Sequence, residues 1–120
     1  MGQNSLKMKT SYFAKYKDPN GVSIALSTPK WFQFSHEIKL NPTWTMINGI
    51  KSGFITADTY EEMYRDTILA NLDPWEIYRK YEDSVLLCWE RIGEFCHRRI
   101  VASWIEENTG HEVEEFGVWK

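Results

Sequence analysis

Few cysteines, few prolines and few glycines mark this chain of 120 residues. It has two Cys, four Pro and seven Gly. Two cysteines are too few for the disulfide framework of a small secreted domain, and reduced thiols in a cytoplasmic protein are the simpler expectation. So little Pro and Gly, beside 42% hydrophobic and 26% charged residues, excludes collagen-like and disordered classes. No apolar run approaches the ~18 residues that span a bilayer, and no signal peptide opens the chain, so no membrane partner is expected. A Walker loop, a Gly-x-Gly-x-x-Gly turn and a Gly-x-Ser-x-Gly elbow are all missing, which removes three common nucleotide and hydrolase folds.

What is present is aromatic and unevenly charged. Six Trp, six Tyr and six Phe make 15% of the chain, more than a small core needs, so some should line a pocket or an interface, including one between copies of the chain. The net charge of −3 argues against sequence-independent binding of duplex nucleic acid. Residues 1–51 nevertheless hold seven Lys against one Asp and one Glu, a local +5, while the remainder is −8. A basic surface near the first half is compatible with that gradient, and contact with nucleic acid stays open.

Hydrophobic patterning predicts a flexible segment over 1–9 and one α/β domain over 10–120, built as a small three-layer domain with a mixed sheet flanked by helices. Thr10–Tyr16 and Val22–Ser27 read as strands around the Asp18-Pro19-Asn20-Gly21 turn. Thr28–Asn41 reads as a structured loop, and Asn41-Pro42 as a helix start. Thr56 or Thr59 caps a helix expected to reach Leu72. Asp73-Pro74-Trp75-Glu76 opens another. Val85–Trp89, continuously apolar, should be an interior strand. A helix near 96–108, closed by Gly110, and a last strand with Val113 inward complete the order.

Chemistry concentrates where that interior strand feeds the next helix. In open α/β sheets ligands bind beyond the carboxyl ends of strands, at helix N-termini. There Cys88 and Glu90 share one strand face, and Cys96, His97 and Arg98 fall in the first helical turn. A helix start and neighbouring cations lower a thiol pKa, which nominates Cys96 as the reactive thiol. Helical spacing puts Arg98 on the flank of the buried stripe and Arg99 toward water, so Arg98 is the expected anion holder. The structural alternatives are plain: Cys88 as a core thiol and His97 as a hydrogen-bonded core histidine. A thiol-phosphatase loop fails, because the positions six after Cys88 and Cys96 are Glu94 and Ala102. Zinc spacing fails as well, since Cys88, Cys96, His97 and His111 form no Cys-x-x-Cys or His-x-x-x-His arm. Neither metal nor cofactor is therefore expected.

Leu86-Leu-Cys-Trp-Glu90 followed by Phe95-Cys-His-Arg98 resembles the bacterial and phage family called domain of unknown function 488, which carries a Leu-Leu-Cys-x-Glu strand and a Cys-His-Arg helix start. Pro29 with Trp31, Leu40-x-Pro42, Lys51-x-Gly53 and Tyr60 with Tyr64 are similar features upstream. The resemblance covers residues 10–116 and implies an α/β fold with a site at Cys88, Glu90, Cys96, His97 and Arg98. Trp89 is bulkier than that pattern expects. With it, the leading expectation is a domain that binds a nucleotide or another phosphate-bearing, nucleic-acid-derived molecule, with hydrolysis as the reaction should it be an enzyme. Glu90, Cys96 and His97 are the catalytic set; Cys88, Arg98, Lys51, Trp31 and Tyr64 are the ligand-binding set, the last two stacking on a base. The alternative is a non-catalytic phage-type interaction protein, an inhibitor or ligand sponge.

Overall fold

A computed structural model describes residues 7–91 and 94–117. Five strands make one sheet in the order β3-β2-β4-β1-β5: β1 (Lys9–Tyr12), β2 (Gly21–Ser23), β3 (Ser35–His36), β4 (Val85–Cys88) and β5 (Glu114–Glu115). All described pairings are parallel, so the domain is α/β as expected, while the sheet is parallel rather than mixed. Four helices accompany it: α1 (Trp44–Ser52), α2 (Ala57–Thr67), α3 (Pro74–Lys80) and α4 (His97–Thr109). Among the described residues, no helix is long and apolar enough to cross a membrane.

The centre of the sheet is β4, whose four residues are all at most 3% exposed. It lies between β2 and β1, pairing Leu86 with Val22 on one side and with Thr10 on the other. Only an apolar strand without polar alternation tolerates burial on both faces. The Asp18–Gly21 turn forms, with the Gly21 N–H donating to the Asp18 carbonyl at 3.1 Å. The strands around it are nevertheless not neighbours, because β4 is inserted between them. Gly21 is what permits the close approach: a Cβ there would lie 2.7 Å from Leu87 Cδ1.

The two faces of the sheet are closed differently. On one, Val22, Ile24 and Leu86 pack with Met46 of α1, Tyr60 and Tyr64 of α2, Ile77 and Tyr78 of α3, and Val101, Trp104 and Ile105 of α4. On the other, Val85 and Leu87 are covered by Phe13, Tyr16, Phe32 and Phe116 from irregular segments. The third layer is thus loop rather than helix, because eight residues between β1 and β2 are too few for a crossover helix.

Several boundaries move for identifiable reasons. Met8 is fully buried and Lys9 opens β1, so the ordered domain begins before residue 10; residues 1–6 of the expected flexible segment lie outside the described residues. The N-cap of α1 is Thr43, whose hydroxyl accepts from the Met46 N–H, while the Asn41 side chain bonds His36 instead. Thr56 and Asp73 cap α2 and α3 as read. The helix expected to reach Leu72 gives way after Thr67 to a 3-10 turn at Leu69–Asn71. Gly110, at φ 77°, closes α4.

Trp104 is 7% exposed within the helix-side core. Trp104→Ala is expected to cost about 3–5 kcal/mol, read as a lower urea midpoint at unchanged slope.

Candidate functional site

A cavity of about 400 Å³ opens at the carboxyl end of the sheet. Its floor is made by the residues that leave β2 and β4, Ala25 to Ser27 and Cys88 to Glu90, and by Cys96 and His97 where α4 begins. Trp89 fastens the two strand exits together, its indole N–H donating to the Ser27 carbonyl at 2.9 Å. Trp44, Ile47 and Lys51 of α1 wall one side, and Tyr60 of α2 with Phe95 wall another, their rings edge-to-face at 5.0 Å. The site therefore lies where parallel-sheet topology places ligands, beyond the strand ends.

Five of the expected residues meet there: Cys88, Glu90, Cys96, His97 and Lys51. Cys88 and Cys96 are joined as a disulfide, so the expectation of two free thiols, with Cys96 the reactive one, is corrected. The cause is tertiary. The fold sets the end of β4 beside the start of α4, so that the two sulfurs meet in a buried place. Residues 92 and 93, between β4 and α4, lie outside the described residues.

His97 is 5% exposed and bonded through Nε2 to the Ile24 carbonyl at 2.7 Å. A carbonyl only accepts, so Nε2 carries the proton and Nδ1 keeps its lone pair, 3.8 Å from Cys96 Sγ. Burial, with the Arg98 charge adding to it and the Ile24 bond opposing, holds the imidazole pKa down to about 4. The Tyr60 phenol moves the other way: burial and the negative charge of Glu90 raise it well above its ordinary value, so it stays a hydrogen-bond donor. Glu90 is half-buried and lies on the cavity wall.

Arg98 does not face the cavity, which corrects its expected role as anion holder. It is 1% exposed and engaged elsewhere. Nε and Nη2 donate to the Glu115 carboxylate at 3.0 and 2.8 Å, and Nη1 donates to Cys88 Sγ at 3.0 Å and the Glu90 carbonyl at 2.7 Å. Glu115, next to β1 in the sheet, neutralises it. Arg99 is half-buried rather than solvated, its Nη1 donating to Thr10 Oγ1 at 2.8 Å and the Val113 carbonyl at 3.0 Å. Both arginines tie α4 to the β1–β5 edge.

Two expected stacking residues are also elsewhere. Tyr64 is fully buried, its hydroxyl donating to the Leu40 carbonyl at 2.6 Å. Trp31 lies outside the cavity lining, under the Lys17 ammonium at 4.1 Å and edge-on to Phe13. The aromatic wall belongs instead to Trp44, Tyr60, Trp89 and Phe95. One helical turn separates Tyr60 from Tyr64, and spacing alone does not say which of the pair ends at the cavity. Trp44 had a readable signal: it opens the helix capped by Thr43. No family model, curated protein or solved structure matches this chain.

Arg98→Ala should destabilise the fold by about 3–5 kcal/mol, because Glu115 would remain buried without its partner. The double variant with Glu115→Gln should lose less than the sum of the single losses in denaturant titrations. Acidification should act through His97. Its native pKa lies below the unfolded ~6.5, so the unfolded chain binds the extra proton between about pH 6.5 and 4. Stability should be whole above that window and fall by about 1.4 kcal/mol per pH unit on descending through it. His97→Gln should flatten that part of the profile in pH-dependent melts.

Proposed function

We propose that this chain is a ligand-binding α/β domain whose cavity takes a nucleotide or a similar phosphate-bearing, nucleic-acid-derived molecule. The supporting observation is the aromatic-walled cavity at the strand ends with one cation, Lys51, on its lining. A volume of about 400 Å³ suits a small ligand. Trp44, Tyr60, Trp89 and Phe95 offer faces and edges to a base. Lys51, in no ion pair among the described residues, offers the charge for a phosphate. Arg98, neutralised by Glu115, does not.

Where the bound molecule is also hydrolysed, Glu90 is the group on this wall suited to take a proton from water. His97 is then a positioning residue, since its Nε2 proton is held by Ile24 and its low pKa keeps it neutral. Kinship with domain of unknown function 488 belongs to the same proposal. It rests on Leu86–Glu90 and Phe95–Arg98, which form the central strand exit and the helix start.

The second reading, an interaction protein, draws on apolar side chains of α1 and the segment after it that are left in water. Trp44 is 62% exposed and Phe54, after α1, is 89% exposed.

Thermal-shift titration with a nucleoside, its mono- and diphosphate, and inorganic phosphate separates the readings, because a ligand that binds only the native state raises the melting temperature. Lys51→Ala should weaken the nucleotides about tenfold, roughly 1.4 kcal/mol, and leave the nucleoside unchanged. Tyr60→Ala should weaken both. Product formation that stops in Glu90→Gln would make the domain a hydrolase. No shift with any of these compounds would overturn the nucleotide reading and favour the interaction protein.

A further inference from the structure

We propose that Cys88, Cys96 and His97 form a redox-gated site for one thiophilic divalent cation of the zinc type. Their ligand atoms, two Sγ and Nδ1, lie within 4.8 Å of one another, and all three residues are buried. The sequence has no paired metal-binding arms. The fold supplies the set by laying the start of α4 against the end of β4.

Each donor is prepared for the role. The Ile24 carbonyl fixes the Nε2–H tautomer of His97 and leaves Nδ1 toward Cys96, the way an outer hydrogen bond orients a metal-bound imidazole. Tetrahedral zinc with bonds of about 2.3 Å to sulfur and about 2.0 Å to nitrogen brings those two ligands to about 3.5 Å. The observed Cys96 Sγ to His97 Nδ1 distance is 3.8 Å. The Cα atoms of Cys88 and Cys96 stand 7.4 Å apart. Arg98 Nη1 donates to Cys88 Sγ at 3.0 Å, and the Arg98 charge is balanced by Glu115. Two thiolates and a divalent cation then add no net charge to a buried place. All three residues line the cavity, from which a fourth ligand would come, as in zinc sites that bind a further ligand.

The gate is the disulfide. A dithiol reductant supplies two electrons and two protons, the Cys88–Cys96 bond breaks to two thiols, and the reductant leaves as its own disulfide. Binding of the cation then displaces both thiol protons to solvent. In the oxidised chain the sulfur lone pairs belong to a disulfide, a far weaker ligand than two thiolates. The inference does not depend on what the cavity binds.

Cobalt(II) is the probe. The full chain is reduced with dithiothreitol, freed of it by anaerobic gel filtration and titrated with Co²⁺. One equivalent is expected to bring thiolate-to-cobalt charge-transfer absorption and tetrahedral d–d bands, both bleached by one equivalent of Zn²⁺. The oxidised chain should show neither. Cys96→Ser should abolish the charge-transfer intensity or reduce it at least by half, and His97→Gln should weaken binding at least tenfold. Comparing the oxidised with the reduced natural sequence needs no variant to fold. A reduced, folded chain without charge-transfer bands overturns the proposal, as does equal binding by the oxidised chain. A reduced chain that unfolds and is not restored by Zn²⁺ overturns it too, whereas a Zn²⁺-dependent rise in its melting temperature supports it.

Discussion

The insertion of β4 between β1 and β2 is the constraint on which the remaining structure depends. It takes an apolar segment from late in the chain and places it between two strands from the beginning. Every residue of β4 is thereby buried, which suits the apolar run Val85-Leu-Leu-Cys88, and the tip of Leu87 approaches position 21, where the chain has a glycine. The same insertion brings the exits of β2 and β4 side by side. Without it Ala25 and Cys88 would not share a cavity floor, and Ile24 would not reach His97.

Around that strand the polar groups are arranged so that buried charge is always balanced. Arg98 would be costly in the interior as a lone cation, but Glu115 meets it with parallel hydrogen bonds, and Cys88 and the Glu90 carbonyl accept from Nη1. His97 solves the same difficulty by staying neutral. Glu37, 6% exposed, is held by the Tyr81 hydroxyl and by Lys80. Its carboxyl pKa is lowered: burial, which pushes the other way, is outweighed by those bonds and by the Lys39 N–H. The arginine that sequence reasoning would offer to a ligand is thus a structural tie between α4 and β5. The cation on the cavity lining is Lys51 of α1.

The site that results has two chemistries side by side. An aromatic and aliphatic enclosure with Lys51 and Glu90 on its wall suits a small polar molecule with a flat portion. Beneath it lies a compact sulfur and nitrogen cluster. The two meet because both are built from the ends of the same strands, so a change of state in the sulfur pair would be felt directly by whatever the cavity holds.

The sequence by itself determined the elements whose causes are local. Caps at Asp73 and Gly110, and at Thr56 as one of the two threonines offered, follow from side-chain hydrogen bonds within one turn or from one left-handed residue, and the burial of β4 from an unbroken apolar run. The clustering of chemistry after β4 was legible for the same reason, since Cys88, Glu90, Cys96 and His97 are near neighbours along the chain. Partnership was not legible. Whether Asp18–Gly21 joins paired strands, whether Tyr60 or Tyr64 ends at the cavity, and whether Arg98 faces a ligand or Glu115 depend on residues 17 to 76 positions away. Turn and helix periodicity carry no information about such partners. Only the tertiary structure decided them, because burying both faces of β4 brings together groups from distant parts of the chain, as it brings Arg98 to Glu115.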